Sequence, residues 1–256
     1  MKFRIFKIYE NYLWIYNYLN NKLNHIVFLM IFAGTIISAL SIFDSSNFYN
    51  NIYDILHGQT FIIFYFIGCC ILSFNIVSNI CRNYLYVLRM NSFKNFIDSV
   101  LKKIQIAFII YFLTTILLVC SVAIFFCSGN FSLLIILDVR VIVNVIITLI
   151  EFYCVGILVC LIFSLAYFIL KRRNTLMLSF IIMLIFMLLM QFYDIFTFKF
   201  KNVTLFIGGC FLNRNLDMTF NELLSCALHC VLLSLIYLLM YKNSIKKRRD
   251  IDEISN

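Results

Sequence analysis

The chain is 256 residues long, 63% hydrophobic and only 13% charged, with a mean hydropathy of +0.97. A soluble globular domain is nearer half apolar and a quarter charged, so a water-soluble core is excluded and lipid has to solvate much of the surface. The net charge of +9 falls in short clusters between apolar runs, which is the pattern of a membrane topology signal rather than of a nucleic-acid-binding face.

Residues 1–24 are predicted to form an amphipathic helix. Ile5, Ile8, Tyr9, Tyr12, Ile15, Tyr16, Leu19 and Leu23 follow the i, i+3, i+4 rule, with Arg4, Lys7, Asn11, Asn17 and Asn21 opposite and Trp14 as the exception. Basic and aromatic residues together place such a helix in the headgroup region; the alternative is a cytosolic helix packed on the rest of the protein. A cleaved signal peptide fits poorly, because Lys2, Arg4, Lys7 and Lys22 are spread along the segment and a run long enough to span follows.

Six apolar runs are then long enough to cross a bilayer, which takes about 20 residues: 25–43, 59–80, 104–127, 142–170, 175–194 and 222–241. The stretch 131–137 is too short and is expected at the outer surface. Gly34 and Ser38 in the first run are spaced for close helix approach. Asn75, Ser78 and Asn79, at the end of the second run, and Ser225 with His229, in the sixth, are expected to make interhelical hydrogen bonds. Proline is absent, so any kink has to come from glycine or polar side chains.

Positive charge orients the set. With both termini in the cytoplasm, the N-terminal segment, the 81–103 loop, the 171–174 turn and the tail hold four, five, three and five Lys/Arg. Only Arg140, Lys199, Lys201 and Arg214 are left outside. Seventeen against four obeys the positive-inside rule, and an odd number of spans would break the agreement. The predicted fold is therefore all-α and polytopic, a single transmembrane domain: an interfacial helix, six spans and a cytoplasmic segment at 81–103.

That segment is the most informative polar stretch. Asn91 or Ser92 is placed to cap a helix. Downstream, Phe93, Phe96, Ile97, Val100, Leu101 and Ile104 share one face, and Lys94, Asn95, Asp98, Lys102 and Lys103 the other. Such a helix either presents its tip to a cytosolic partner or anchors the third span against anionic lipid.

Glu151 is the one ionisable residue well inside an apolar run, with Asn144 two turns away on the same face. A carboxylate there costs a few kcal/mol against lipid, so it is expected to face the protein interior or a wet cavity. It is a candidate for contacting a cationic substrate group or carrying a proton; a polar helix–helix contact is the plain alternative.

Arg89, then Ser92-Phe93-Lys94-Asn95-Phe96, then Ser99 and Lys102, together with the order of elements, resemble the permease subunit of an ABC-2-type ABC transporter. The resemblance is greatest to the branch for bacterial peptide-antibiotic export and lantibiotic immunity. The acidic residue often found shortly before that Arg in the family is missing here. The resemblance implies ATPase-coupling roles for Arg89, Ser92, Phe93, Lys94, Asn95 and Phe96. It also implies a cytosolic ABC ATPase that binds ATP and Mg, and a second permease copy or paralogue. The setting it implies is the bacterial plasma membrane, with an amphipathic or hydrophobic substrate such as an antimicrobial peptide. The rival reading is a non-transporting membrane immunity or assembly protein that acts by binding.

The chain's own inventory suits a subunit without catalysis. None of the seven glycines precedes a Lys-Ser/Thr pair as a phosphate-binding loop requires, so no cofactor is expected in this chain. His25, His57 and His229 show no metal-ligand spacing, no Gly-x-Ser-x-Gly elbow occurs, and no two acidic residues sit at helical spacing within a span. The ten cysteines have no CxxC pair and mostly sit in apolar runs, where they act as small packing residues.

Overall fold

The computed structural model describes residues 21–41, 48–82, 93–126, 139–169 and 220–254. Among these the protein is all-helical: α1 (Lys22–Ser41), α2 (Phe48–Leu56), α3 (Gln59–Arg82), α4 (Phe93–Phe126), α5 (Val139–Ile169) and α6 (Phe220–Ile254). The stretches Gln59–Cys81, Lys94–Phe126 and Ile142–Ile169 are long and apolar enough to cross a membrane, and α1 and α6 carry the shorter apolar stretches Asn24–Leu40 and Cys230–Ile245. Residues 1–20, the 131–137 stretch, the fifth apolar run at 175–194, and Arg89, Asn91 and Ser92 lie outside the described residues.

Contacts between helices give the directions of α1, α3, α4, α5 and α6. Asn24 meets Asn75 at one end of the α1–α3 pair, and Ser38 meets Phe61 at the other, so these helices are antiparallel. Tyr65 with Phe152 and Phe74 with Tyr167 make α3 and α5 parallel. Phe108 with Tyr153 and Phe96 with Phe168 make α4 antiparallel to α5. Helix α6 lies along α5 and meets the start of α4 through Tyr241 and Asp98, so it runs in the direction of α5. Lys22, Lys94, Lys102, Lys103 and Lys242 thereby gather at one end of the bundle, here called the basic end.

Much of the outside of the bundle is apolar. Leu117, Leu239 and Phe125 are 67%, 62% and 78% exposed, which is tolerable only where lipid replaces water. Inside, Phe61, Tyr65, Phe66, Phe108, Tyr111, Phe112, Phe152 and Tyr153 form a continuous aromatic cluster joining α3, α4 and α5.

The α1–α3 contact is close for the reason the small residues suggest. A Cβ on Gly34 would lie 2.7 Å from Phe64 Cδ2, and one on Gly58 would lie 2.6 Å from Ser38 Oγ. Gly58 immediately precedes α3 and has no side chain to cap it. Ser38 supplies the cap from α1 instead, its hydroxyl accepting the Phe61 N–H at 3.0 Å. At the basic end, Asn75 Nδ2 donates to Asn24 Oδ1 at 2.9 Å, while Asn75 Oδ1 accepts from Asn79 at 3.0 Å and from Asn21 at 3.4 Å. Of the polar groups expected to bridge helices, Asn75 therefore does so.

Two features differ from the sequence reading. The connection between the first two apolar runs, an outer segment when both termini are cytoplasmic, contains the helix α2, which packs on α4 and α5 and buries Ile52, Ile55 and Leu56. His57 closes it: its ring stacks on Tyr53 at 4.0 Å, with Nδ1 2.8 Å from the Tyr53 carbonyl. Second, the amphipathic helix before the third span is not a separate piece. Helix α4 runs unbroken for 34 residues, about 51 Å at 1.5 Å per residue, because neither Gly nor Pro interrupts it. Its polar-faced first turns therefore project about 16 Å beyond Ile104, where the apolar stretch begins.

Candidate functional site

The structure places those sequence-predicted residues that it describes in two separate regions. At the basic end, Phe93 opens α4, and the expected amphipathic face is the buried one: Phe96, Ile97, Val100, Leu101 and Ile104 are all inside. Phe96, only 3% exposed, packs edge-on against Phe168 at 5.9 Å, tying the tip of α4 to the end of α5. Lys94, Asn95 and Lys102 are exposed. Asp98 is half-buried and accepts a 2.7 Å hydrogen bond from the Tyr241 hydroxyl, which clasps α6 to the same tip. The start of α4, the end of α5 and the Tyr241 turn of α6 thus form one collar, with Lys94 and Asn95 on its surface.

The second region is the inward face of α5. Asn144, Thr148 and Glu151 follow at i, i+4 and i+7 and are all buried, Glu151 to 5% exposure. Thr148 Oγ1 returns its proton to the Asn144 carbonyl at 2.8 Å, the usual way a helix absorbs a hydroxyl in an apolar setting. Glu151 thus faces protein rather than lipid, as the cost of a lipid-facing carboxylate demands. The adjacent Phe152 carbonyl accepts the Tyr65 hydroxyl at 3.0 Å, so this turn is held from α3. Chemically, the face carries an amide, a hydroxyl and one carboxylate, all buried.

The two regions do not meet. Phe168, opposite Phe96, lies 17 residues along α5 from Glu151, about 25 Å away on the helix axis. Any communication between them has to pass through helix packing. The residues that join helices near the Glu151 turn, Tyr65, Tyr111, Gly68 and Gly156, were not singled out by sequence reasoning. Their only sequence signal is a tyrosine and a glycine within otherwise apolar runs. Among the described cysteines, Cys69 and Cys160 are fully buried free thiols, with Cys160 Sγ 3.5 Å from the Cys69 carbonyl.

No family model, curated protein or solved structure matches this chain. Its function has to be argued from its own residues.

Proposed function

We propose that this chain is the membrane-spanning permease subunit of an ABC exporter of the ABC-2 type. It works as a six-span protein of a bacterial plasma membrane, with its basic end and both termini in the cytoplasm. A separate ATPase hydrolyses ATP, a second permease copy or paralogue completes the pathway, and an amphipathic or hydrophobic substrate is moved outward.

The observation that carries this reading is the continuity of α4. Its exposed tip at Lys94 and Asn95 belongs to the same rigid helix that supplies Phe108 and Tyr111 to the core. A partner closing on that tip pushes on a lever reaching the middle of the bundle, and packed helices answer such a push by shifting as rigid elements. Helix directions support the even span number. Helices α5 and α6 run the same way, so the chain between Ile169 and Phe220 has to return to the far end before α6 begins. The apolar run at 175–194 is suited to that return.

The test is co-purification of the chain with an ABC ATPase, followed by substrate-stimulated ATP hydrolysis in lipid vesicles. Lys94→Glu is expected to lower ATPase recovery and leave the fold unchanged. A stable complex without any ATPase would overturn the permease reading in favour of a binding-only immunity or assembly protein. In the active pair, Glu151→Gln keeps the shape of the side chain and removes its charge. It is expected to cut export about tenfold, the consequence of losing about 1.4 kcal/mol, with normal membrane insertion. Unchanged export would remove Glu151 from the transport step.

A further inference from the structure

Among the described residues, the hydroxyls of Tyr111 and Tyr65 each reach across to the backbone of a neighbouring helix, and beside each a glycine makes room for it. The Tyr111 hydroxyl, on α4, donates to the Tyr65 carbonyl of α3 at 2.8 Å. Gly68 lies one turn further along α3, and a Cβ there would collide with that hydroxyl. The Tyr65 hydroxyl in turn donates to the Phe152 carbonyl of α5 at 3.0 Å, where Gly156 lies one turn further along and a Cβ would sit 2.6 Å from the hydroxyl. A helical carbonyl already accepts its own i+4 amide and is screened by the side chain one turn on. Removing that side chain is what opens it to a second donor.

Both tyrosines are fully buried, and their bonds run in series: α4 to α3 through Tyr111, then α3 to α5 through Tyr65. The train ends on Phe152, next to Glu151. We infer that Tyr111 and Tyr65 are positioning residues, a two-step latch that makes α3, α4 and α5 one block and sets the Glu151 turn by the position of α4. The two bonds join α3, α4 and α5; Phe28 of α1 packs on the Tyr111 ring at 6.4 Å, while α1 is fastened to α3 by the asparagine and Ser38 contacts and α6 to α4 by Tyr241. The use of the latch in transport rests on the permease reading, whereas the latch itself is a property of this chain alone.

The test uses the purified chain in phosphatidylglycerol–phosphatidylethanolamine nanodiscs. Nitroxides are attached to ketone-bearing residues placed at the exposed positions Leu117 on α4 and Ile146 on α5, leaving native thiols untouched. Tyr111→Phe and Tyr65→Phe remove only the hydroxyls. Each is expected to lower the melting temperature by about 2–4 °C, and together they should broaden the Leu117–Ile146 distance distribution. Gly68→Ala should broaden it too. Adding Tyr111→Phe to Gly68→Ala should recover part of the lost melting temperature, because the nearest remaining ring atom, Cζ, is 3.0 Å from the new Cβ. Unchanged distances in the doubly substituted chain, whatever its melting temperature, would overturn the latch, as would absence of that recovery. Neither outcome depends on whether an ATPase binds.

Discussion

Gly156→Ala is expected to lower the melting temperature of the detergent-solubilised protein by about 5–10 °C, the shift produced by about 2–3 kcal/mol of overpacking. The added methyl meets atoms of two helices at once: Tyr65 Oη of α3 at 2.6 Å, and Phe108 Cζ and Cε2 of α4 at 2.8 and 2.9 Å. Neither neighbour gives way easily. Tyr65 is held by its bond to the Phe152 carbonyl, and the Phe108 ring is wedged among Tyr111, Phe112 and Tyr153 at centroid distances of 6.3, 6.2 and 5.5 Å. Relief therefore requires α5 to move away from both partners. Circular dichroism melts provide the measurement. Phe108→Leu, which shortens the ring side, should restore part of the stability in the Gly156→Ala background. Parental melting of Gly156→Ala would mean that α5 does not approach α3 and α4 this closely.

The features legible in the sequence are those that depend on one helix at a time. Phe93, Phe96, Ile97, Val100, Leu101 and Ile104 repeat at helical spacing, so their common face could be named before anything was known of its surroundings; the Phe93 side chain lies outside the described residues, and the other five are buried. Glu151 and Asn144 were placed inward by the cost of facing lipid, and both are inside. What periodicity cannot say is which neighbour covers a face. Phe96 meets Phe168 from a helix more than forty residues further along the chain, and nothing local in either stretch announces that pairing. The tyrosine–glycine contacts are less visible still. Gly68 and Tyr111 matter only because α3 and α4 cross at one height, which is a property of the assembled bundle. Helix α2 was readable in principle, because Ile52, Ile55 and Leu56 fall at i, i+3 and i+4, but it is only nine residues long and lies between two much longer apolar runs.

The collar at the basic end separates two substitutions that a single-helix view treats alike. Phe96→Asp is expected to cost about 3–5 kcal/mol, the penalty for leaving a buried charge unpaired. The carboxylate would replace a ring that is 3% exposed and packed on Phe168, two residues from the Asp98 carboxylate already engaged by Tyr241. Folded, monodisperse protein should fall sharply on size-exclusion chromatography, whereas Phe96→Leu should stay near parental yield. Lys94→Glu lies on the same turn but points outward, so it should leave yield and melting temperature unchanged and alter only what docks on the tip. A Phe96→Asp protein that is stable yet fails to hold an ATPase would make Phe96 a contact residue and would require the α4 tip to leave α5. If Phe96→Asp unfolds the protein while Lys94→Glu releases the ATPase, Phe96 belongs to the lever and Lys94 to its handle.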